Sequence, residues 1–269
     1  MCAGALLFSS PSGAVIVDFS TLFGASSKDM AIDVAFDANG NIFLMGVVGA
    51  TTFPGLDLLS LPNGGRGQIF VAKFDPNGRN LLYLTAVGAP VAVTSADSTL
   101  GLAYGNRTMA MAVDGAGAAY VAACESTGAV GRTVGWRHLY KLDASGQVGW
   151  ALRFDPAVFS VRAVAVDSSG SAYVTGNAVA GLATTPGVVY PTTNRTSGFT
   201  PFLMKVDPTG QRALYSTYLS QSGQRPYTSP SSYDRPYYDN QTSPYAVAVD
   251  TDGNAYVTGQ ATSDRKSVV

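Results

Sequence analysis

Apolar and polar positions alternate over short stretches along this chain, and the same stretches return. AVAVDSSGSAYVTG at 163–176 reappears as AVAVDTDGNAYVTG at 246–259, identical at eleven of fourteen positions. DVAFDANGNIFLMG at 33–46 and AMAVDGAGAAYVAA at 110–123 keep the same pattern. Between these copies runs a second phrase: FVAKFDPNGRNLLYLT at 70–85, LYKLDASGQVGWAL at 139–152 and FLMKVDPTGQRALYST at 202–217. Period-two alternation with β-branched residues predicts strands, and D-x-x-G between two of them predicts a tight turn. Asp caps such a turn through its carboxylate, and Gly accepts a positive φ.

Each two-phrase unit therefore yields four strands in up-and-down order, with no helical period long enough to cover a parallel sheet. A unit of this kind buries its apolar faces only by stacking on its neighbours. The predicted fold is all-β, a β-propeller of four-stranded antiparallel blades. The expected blades are 30–88, 109–155 and 160–220, with a partial blade at 244–269 and the propeller repeats together spanning 15–269. VIVDFSTLFG at 15–24 matches only the last strand of a unit and is expected to be an outer strand. Two arrangements follow. If that strand completes the last blade and Lys266–Val269 adds a short third strand, about four blades close into a ring; otherwise the chain is a fragment of a larger propeller.

Composition narrows the class without naming an activity. Apolar residues make up 46% and charged ones 13%, with thirty glycines and fourteen prolines, a balance that excludes disorder and suits a turn-rich β protein. A formal charge of −1 leaves no electrostatic footprint for nucleic acid or an anionic membrane, and no apolar run approaches the length of a membrane span. MCAGALLFSSPSGA at 1–14 resembles the end of a secretory signal peptide without its basic segment, so the expected location is secreted or cell-surface. The two cysteines make no disulfide framework.

The phrases resemble the bacterial β-propeller repeat family known as SBBP, and more distantly the NHL repeats. That family has an AIAVD strand, a D-x-x-GN turn and a Y-V-T-G strand, then F-V-A-K-L-D-P-x-G and Y-S-T-Y-L-G. The matching stretches here are 31–46 with 70–88, 202–220 and 245–259, while 110–154 diverges in its second half. The resemblance implies the propeller fold and says little about activity.

In an up-and-down blade both tight turns lie at one end, so the other end receives the long connections 47–68, 89–108, 124–136, 177–200 and 220–244. Binding residues concentrate on such loops. The richest, 220–244, carries Arg225, Tyr227, Tyr233, Asp234, Arg235, Tyr237 and Tyr238, a mixture of amphipathic rings and planar donors suited to a sugar, a peptide or a protein. Alternatively it is a solvated connector packed on itself.

Asp250, Asp252 and Asn254 in DTDGN resemble the opening of a calcium loop, but the twelve-position loop ending in Glu is missing. The other copies keep only the first Asp and the Gly. Turn capping is the expected role, with calcium the lesser alternative.

Lys73, Lys141 and Lys205 recur in register and are expected to be partners between blades for an Asp or a carbonyl. His138, the single histidine, is expected to be a packing residue. No nucleophile elbow, P-loop, CxxC or HExxH is present. The reading is a secreted non-enzymatic propeller, without cofactor, that binds a protein or polysaccharide through its long-loop end. The alternatives are a lyase or glycoside hydrolase with carboxylates near a central channel, and a purely structural segment of a larger surface protein.

Overall fold

The computed structural model describes residues 2–5, 8–9, 15–16, 20–24, 29–48, 68–88, 109–124, 137–194, 198–220 and 243–260. Every regular element among them is a β-strand. The chain divides into two compact units, Met1–Arg153 and Phe154–Val269. The first holds β1 (Cys2–Ala5), β2 (Phe8–Ser9), β3 (Val15–Ile16), β4 (Ser20–Phe23), β5 (Met30–Phe36), β6 (Ile42–Val48), β7 (Gln68–Phe74) and β8 (Leu81–Val87), then β9 (Ala110–Val113), β10 (Ala119–Cys124), β11 (Arg137–Leu142) and β12 (Val148–Arg153). The second holds β13 (Val158–Val166), β14 (Ala172–Ala178), β15 (Thr200–Val206), β16 (Ala213–Tyr218), β17 (Ser243–Val249) and β18 (Ala255–Gln260).

The fold is all-β, built of the antiparallel blades expected from the repeat. Strands β5–β8, β9–β12 and β13–β16 form three four-stranded sheets in sequence order, and β17–β18 form a two-stranded one. No helix among the described residues is long and apolar enough to cross a membrane. Within 15–24, the expected outer strand, the described residues include β3 and β4. β3 pairs with β2 and β4 with β1, so residues 2–5 and 8–9 of the predicted signal remnant serve as their partners. A nearby β-compatible segment satisfies backbone donors and acceptors that would otherwise be unpaired.

Why the alternation in the phrases is imperfect is visible in the burial. In the first unit, β6 and β7 are buried on both faces, whereas β8 is mostly half-buried. Phe43, Met45, Ile69 and Val71 from one blade meet Met109, Met111, Val121, Tyr140 and Leu142 from the next in a single core. Removal of such side chains from water contributes about 2 kcal/mol each. One polar tie joins the first strands of these blades, since Met111 N donates to Asp33 Oδ2 at 2.9 Å.

The glycine of Y-V-T-G has a packing cause. In the first strands β5, β13 and β17 the register slips at a bulge, between Ala31 and Asp33, Val161 and Ala163, and Pro244 and Ala246. The bulge pushes a carbonyl towards the facing residue of the second strand. A Cβ at Gly46, Gly176 or Gly259 would meet the carbonyl oxygens of Met30, Ser160 and Ser243 at 2.3, 1.9 and 2.3 Å.

Candidate functional site

All the tight turns of the blades are built alike. Asp37, Asp75, Asp114, Asp143, Asp167, Asp207 and Asp250 each accept, through the main-chain carbonyl, a bond from the amide of the Gly three residues on. Those glycines have φ between +65° and +87°. A type I turn followed by a left-handed glycine gives the right twist for a hairpin, which is why Asp and Gly persist while the residues between them vary. The carboxylate then caps the loop. Asp250 Oδ1 accepts from the amides of Asp252 and Asn254 at 3.0 and 2.8 Å, and the Asn254 side chain donates to Oδ2 at 2.8 Å.

Around the first turn of each complete blade a charged cluster recurs. The second strand supplies an aromatic ring, the third a lysine and the fourth another ring, in one row across the sheet. The rows are Ala35–Phe43–Lys73–Tyr83, Ala112–Tyr120–Lys141–Trp150 and Ala165–Tyr173–Lys205–Tyr215. Each lysine ammonium lies over the second-strand ring, at 4.8, 4.9 and 4.7 Å from its centroid. The two rings of each row meet edge-on at 6.1–6.3 Å. A cation over a ring face, desolvated on both sides, is favourable where either group alone would be costly.

The ammonium also pairs with the turn carboxylate of its own blade. Lys73 Nζ lies 3.3 Å from Asp37 Oδ2, and Lys205 Nζ 2.9 Å from Asp167 Oδ2. Of the two partners expected between blades, an Asp or a carbonyl, the Asp is corrected to one within the blade. The register places each lysine beside its own sheet's second strand, below the turn that begins it, so the nearest carboxylate belongs to the same blade. A weaker inter-blade component exists in the first unit, where Lys73 Nζ is 3.5 Å from the Ala144 carbonyl. In the second unit the Tyr173 hydroxyl lies 3.1 Å from Asp167 Oδ2 and 2.9 Å from the Gly253 carbonyl, so one proton is shared between its own turn and the next.

These contacts set the ionisation of the carboxylates. At Asp37, Asp75, Asp167 and Asp207 burial is the largest single influence and raises the pKa, yet the surrounding donors together outweigh it and hold the group below its usual value. At Asp143 and Asp250 the largest influence is itself a donor, the Ser145 hydroxyl and the Asn254 amide respectively. Burial, the main cause, pushes the Tyr215 phenol up to about 12. A carboxylate whose pKa is lower folded than unfolded stabilises the fold above the unfolded value, and that contribution is lost as pH falls through the folded value. Stability to urea should therefore hold from neutral pH to about 5 and fall progressively below about 4, near the unfolded Asp pKa. A denaturation midpoint that stays flat down to about pH 2 would contradict this assignment.

The residues singled out in the sequence separate into two groups. Arg225, Tyr227, Tyr233, Asp234, Arg235, Tyr237 and Tyr238 lie outside the described residues. Asp250, Asp252 and Asn254 form one of the seven turns; both Asp250 oxygens accept bonds from the turn, and Tyr256 adds a donor to Oδ2 at 2.9 Å. Among the described residues no group of three His, Cys, Asp or Glu side chains is arranged to hold a metal. His138 stands on β11, its ring 5.5 Å from that of Tyr140.

One long connection has a use the sequence did not reveal. Residues 179–190 return along the outer strand of the third blade. Thr185 N donates to Ser216 O, Ser216 N to Thr185 Oγ1, and Tyr218 N to Tyr190 O. The Tyr218 hydroxyl, donating to Val179 O and accepting from Leu182 N, pins the start of this strap. An exposed sheet edge is thereby covered. The sequence of 179–190, VAGLATTPGVVY, carries no repeat that marks it as a strap, because edge cover needs no periodicity.

Residues 214–264 match the family of SBBP beta-propeller repeats. The matched SBBP stretch contains most of β16 and all of β17 and β18. No match is found among curated proteins. A protein of unknown function from Bacteroides caccae aligns with a TM-score of 0.42 at 14% identity, over 91% of this chain and 57% of that one. A luciferin-regenerating enzyme aligns with a TM-score of 0.39 at 10% identity, over 86% of this chain and 54% of the other. The chain thus spans a little over half the length of either structure.

Proposed function

We propose that this chain is a non-enzymatic β-propeller repeat protein, secreted or borne on a cell surface, that binds a protein or polysaccharide through its long connections. One observation carries the reading: within each complete blade the two ends are built by different rules. Every tight turn repeats the same Asp-capped hairpin, and the recurring Asp, Lys and aromatic groups are consumed in holding the blade. Chemistry spent identically in each copy stabilises the scaffold. What differs between copies is the connection from the second strand to the third and from blade to blade. The longest, 220–244, brings four tyrosines and two arginines, the residue types that most often anchor an interface.

A glycan array combined with pull-down by the purified full chain tests this. The expected result is saturable binding to one ligand class, weakened at least about tenfold by Tyr233→Ala or Tyr237→Ala, the scale of an anchoring aromatic. Absence of ligands of both classes, or binding indifferent to both substitutions, would overturn it.

A further inference from the structure

The residue that follows the Y-V-T-G glycine differs between copies: Val47 in the first blade, Cys124 in the second, Asn177 in the third and Gln260 in the last hairpin. In the first blade Val47 stands opposite Met30, and the two pack together in the apolar core. In the third blade Asn177 stands opposite Ser160, and each is only 2% exposed. The next first strand, β17, begins with Ser243 at the place of Ser160, and it too is buried. An apolar position of the repeat has become a buried polar group within the second unit. It lies at the end of the strands that leads into the long connections.

Burial of polar atoms costs stability unless each finds a partner. Here two do not. Asn177 Nδ2 donates to Ser243 Oγ at 3.3 Å, but Asn177 Oδ1 and Ser160 Oγ have no hydrogen-bond partner. Turning the amide over would only exchange which of its two atoms is left. Beside this group, Phe159 on β13 stacks on Phe199, the residue just before β15, at 3.9 Å between ring centroids. β13 and β15 lie on either side of β14, so the two half-buried rings meet over its end. Amide and hydroxyl groups both donate and accept, as sugar hydroxyls do, and an aromatic face suits the C–H side of a sugar ring. Ser160, Asn177 and Ser243 carry no charge that would balance an ammonium or a carboxylate.

We propose that Ser160, Asn177 and Ser243 are the floor of a sugar-binding subsite in the second unit, covered by the Phe159–Phe199 stack. The stack parts to admit a neutral hexose. One hydroxyl of the sugar bonds to Asn177 and Ser160, and its C–H side lies against a phenyl ring. The covered state leaves two polar atoms unpaired and the occupied state does not, so the ligand shifts the balance towards the open form. The subsite presupposes that the long-connection end binds a ligand, as proposed above. It narrows that ligand to a neutral saccharide and places a contact outside 220–244.

The test titrates the isotope-labelled full chain with glucose, galactose, mannose and N-acetylglucosamine, each to about 50 mM, well above a millimolar dissociation constant. At least one sugar should shift the Asn177 side-chain amide signals saturably. Asn177→Val installs the residue of the first blade and should weaken that sugar at least about tenfold, the scale of one hydrogen bond. Its urea midpoint should be no lower than that of the unaltered chain, because an unpaired group is removed. Should Asn177→Val fail to fold, Ser160→Ala supplies the same two readings. Tyr233→Ala should leave this binding unchanged. Ligand binding that is lost on Tyr233→Ala but indifferent to Asn177→Val would overturn the subsite and keep the wider reading. No saturable shift with any of the four sugars would overturn the subsite, as would a lower midpoint in both Asn177→Val and Ser160→Ala, which would make these side chains structural.

Discussion

Gly176→Ala is expected to destabilise the second unit by about 3 kcal/mol or more, the range of severe overpacking against atoms that cannot relax. The added methyl would lie 1.9 Å from the Ser160 carbonyl oxygen and 2.9 Å from the Val161 Cα. Both obstacles are main-chain atoms of β13, fixed by the ladder on either side of its bulge. Relief requires either parting β13 from β14 or removing the bulge, and removing it would shift every following side chain of β13 to the opposite face. Gly115→Ala is the control, because a Cβ there meets nothing within 4 Å, and it should leave the denaturation midpoint within about 0.5 kcal/mol. The check is urea denaturation of both variants, with amide exchange on β13 and β14 to locate the loss. A cost below about 1 kcal/mol for Gly176→Ala would mean that the bulge yields freely.

That glycine marks the boundary of what could be read from the sequence. The strand–turn–strand unit was legible because its causes are local: alternation makes the strand, and Asp with Gly makes the turn. Copy compared with copy, AVAVD-x-x-G-x-AYVTG also showed that Asp167 and Asp250 belong to turns. The reason for Gly176, by contrast, lies in a bulge on a different strand, and AVAV has no sequence mark that distinguishes a bulged strand from a straight one. The lysines show the same limit. Their recurrence marked them as structural, but whether Lys205 reaches its own blade or the next depends on register, which is set only when Tyr173 and Tyr215 flank it. The pairing of β3 and β4 and the strap over β16 were not legible either, because those partners are chosen by proximity in the folded chain. For the candidate site, the sequence supplied the Tyr- and Arg-rich connection at 220–244. It did not supply the rings on either side of each lysine, which the register brings together only across three strands of a sheet.

Lys205→Met should cost about 2 kcal/mol, less than the roughly 3–5 kcal/mol of a fully buried pair because the lysine side chain keeps 19% of its exposure. Methionine preserves most of the apolar stem between Tyr173 and Tyr215, so packing changes little and the loss reports on the charge. What is left behind is Asp167, with its side chain only 8% exposed and its Oδ2 without a cation. Asp167→Asn keeps an oxygen for the Ser169 and Ser171 amides, which donate to Oδ1 at 3.0 Å, and so retains the cap while removing the charge. In the double variant neither an orphaned carboxylate nor an orphaned ammonium remains, and the combined loss should fall short of the sum by about 1 kcal/mol or more. The sign with pH follows from the lowered Asp167 pKa, in which burial opposes but the Ser169, Lys205, Ser171 and Tyr173 donors prevail. The coupling is therefore present at neutral pH and shrinks in strong acid, once the folded-state carboxyl takes up a proton. Arg212 and Asp207 give the contrast: their nitrogen and oxygen are 3.4 Å apart, but the arginine side chain is 75% exposed. Exposed pairs of that kind contribute little, so Arg212→Ala should leave the midpoint unmoved. Additivity of Lys205→Met and Asp167→Asn at neutral pH would show instead that the two side chains stabilise the blade separately, through ring contact and turn capping.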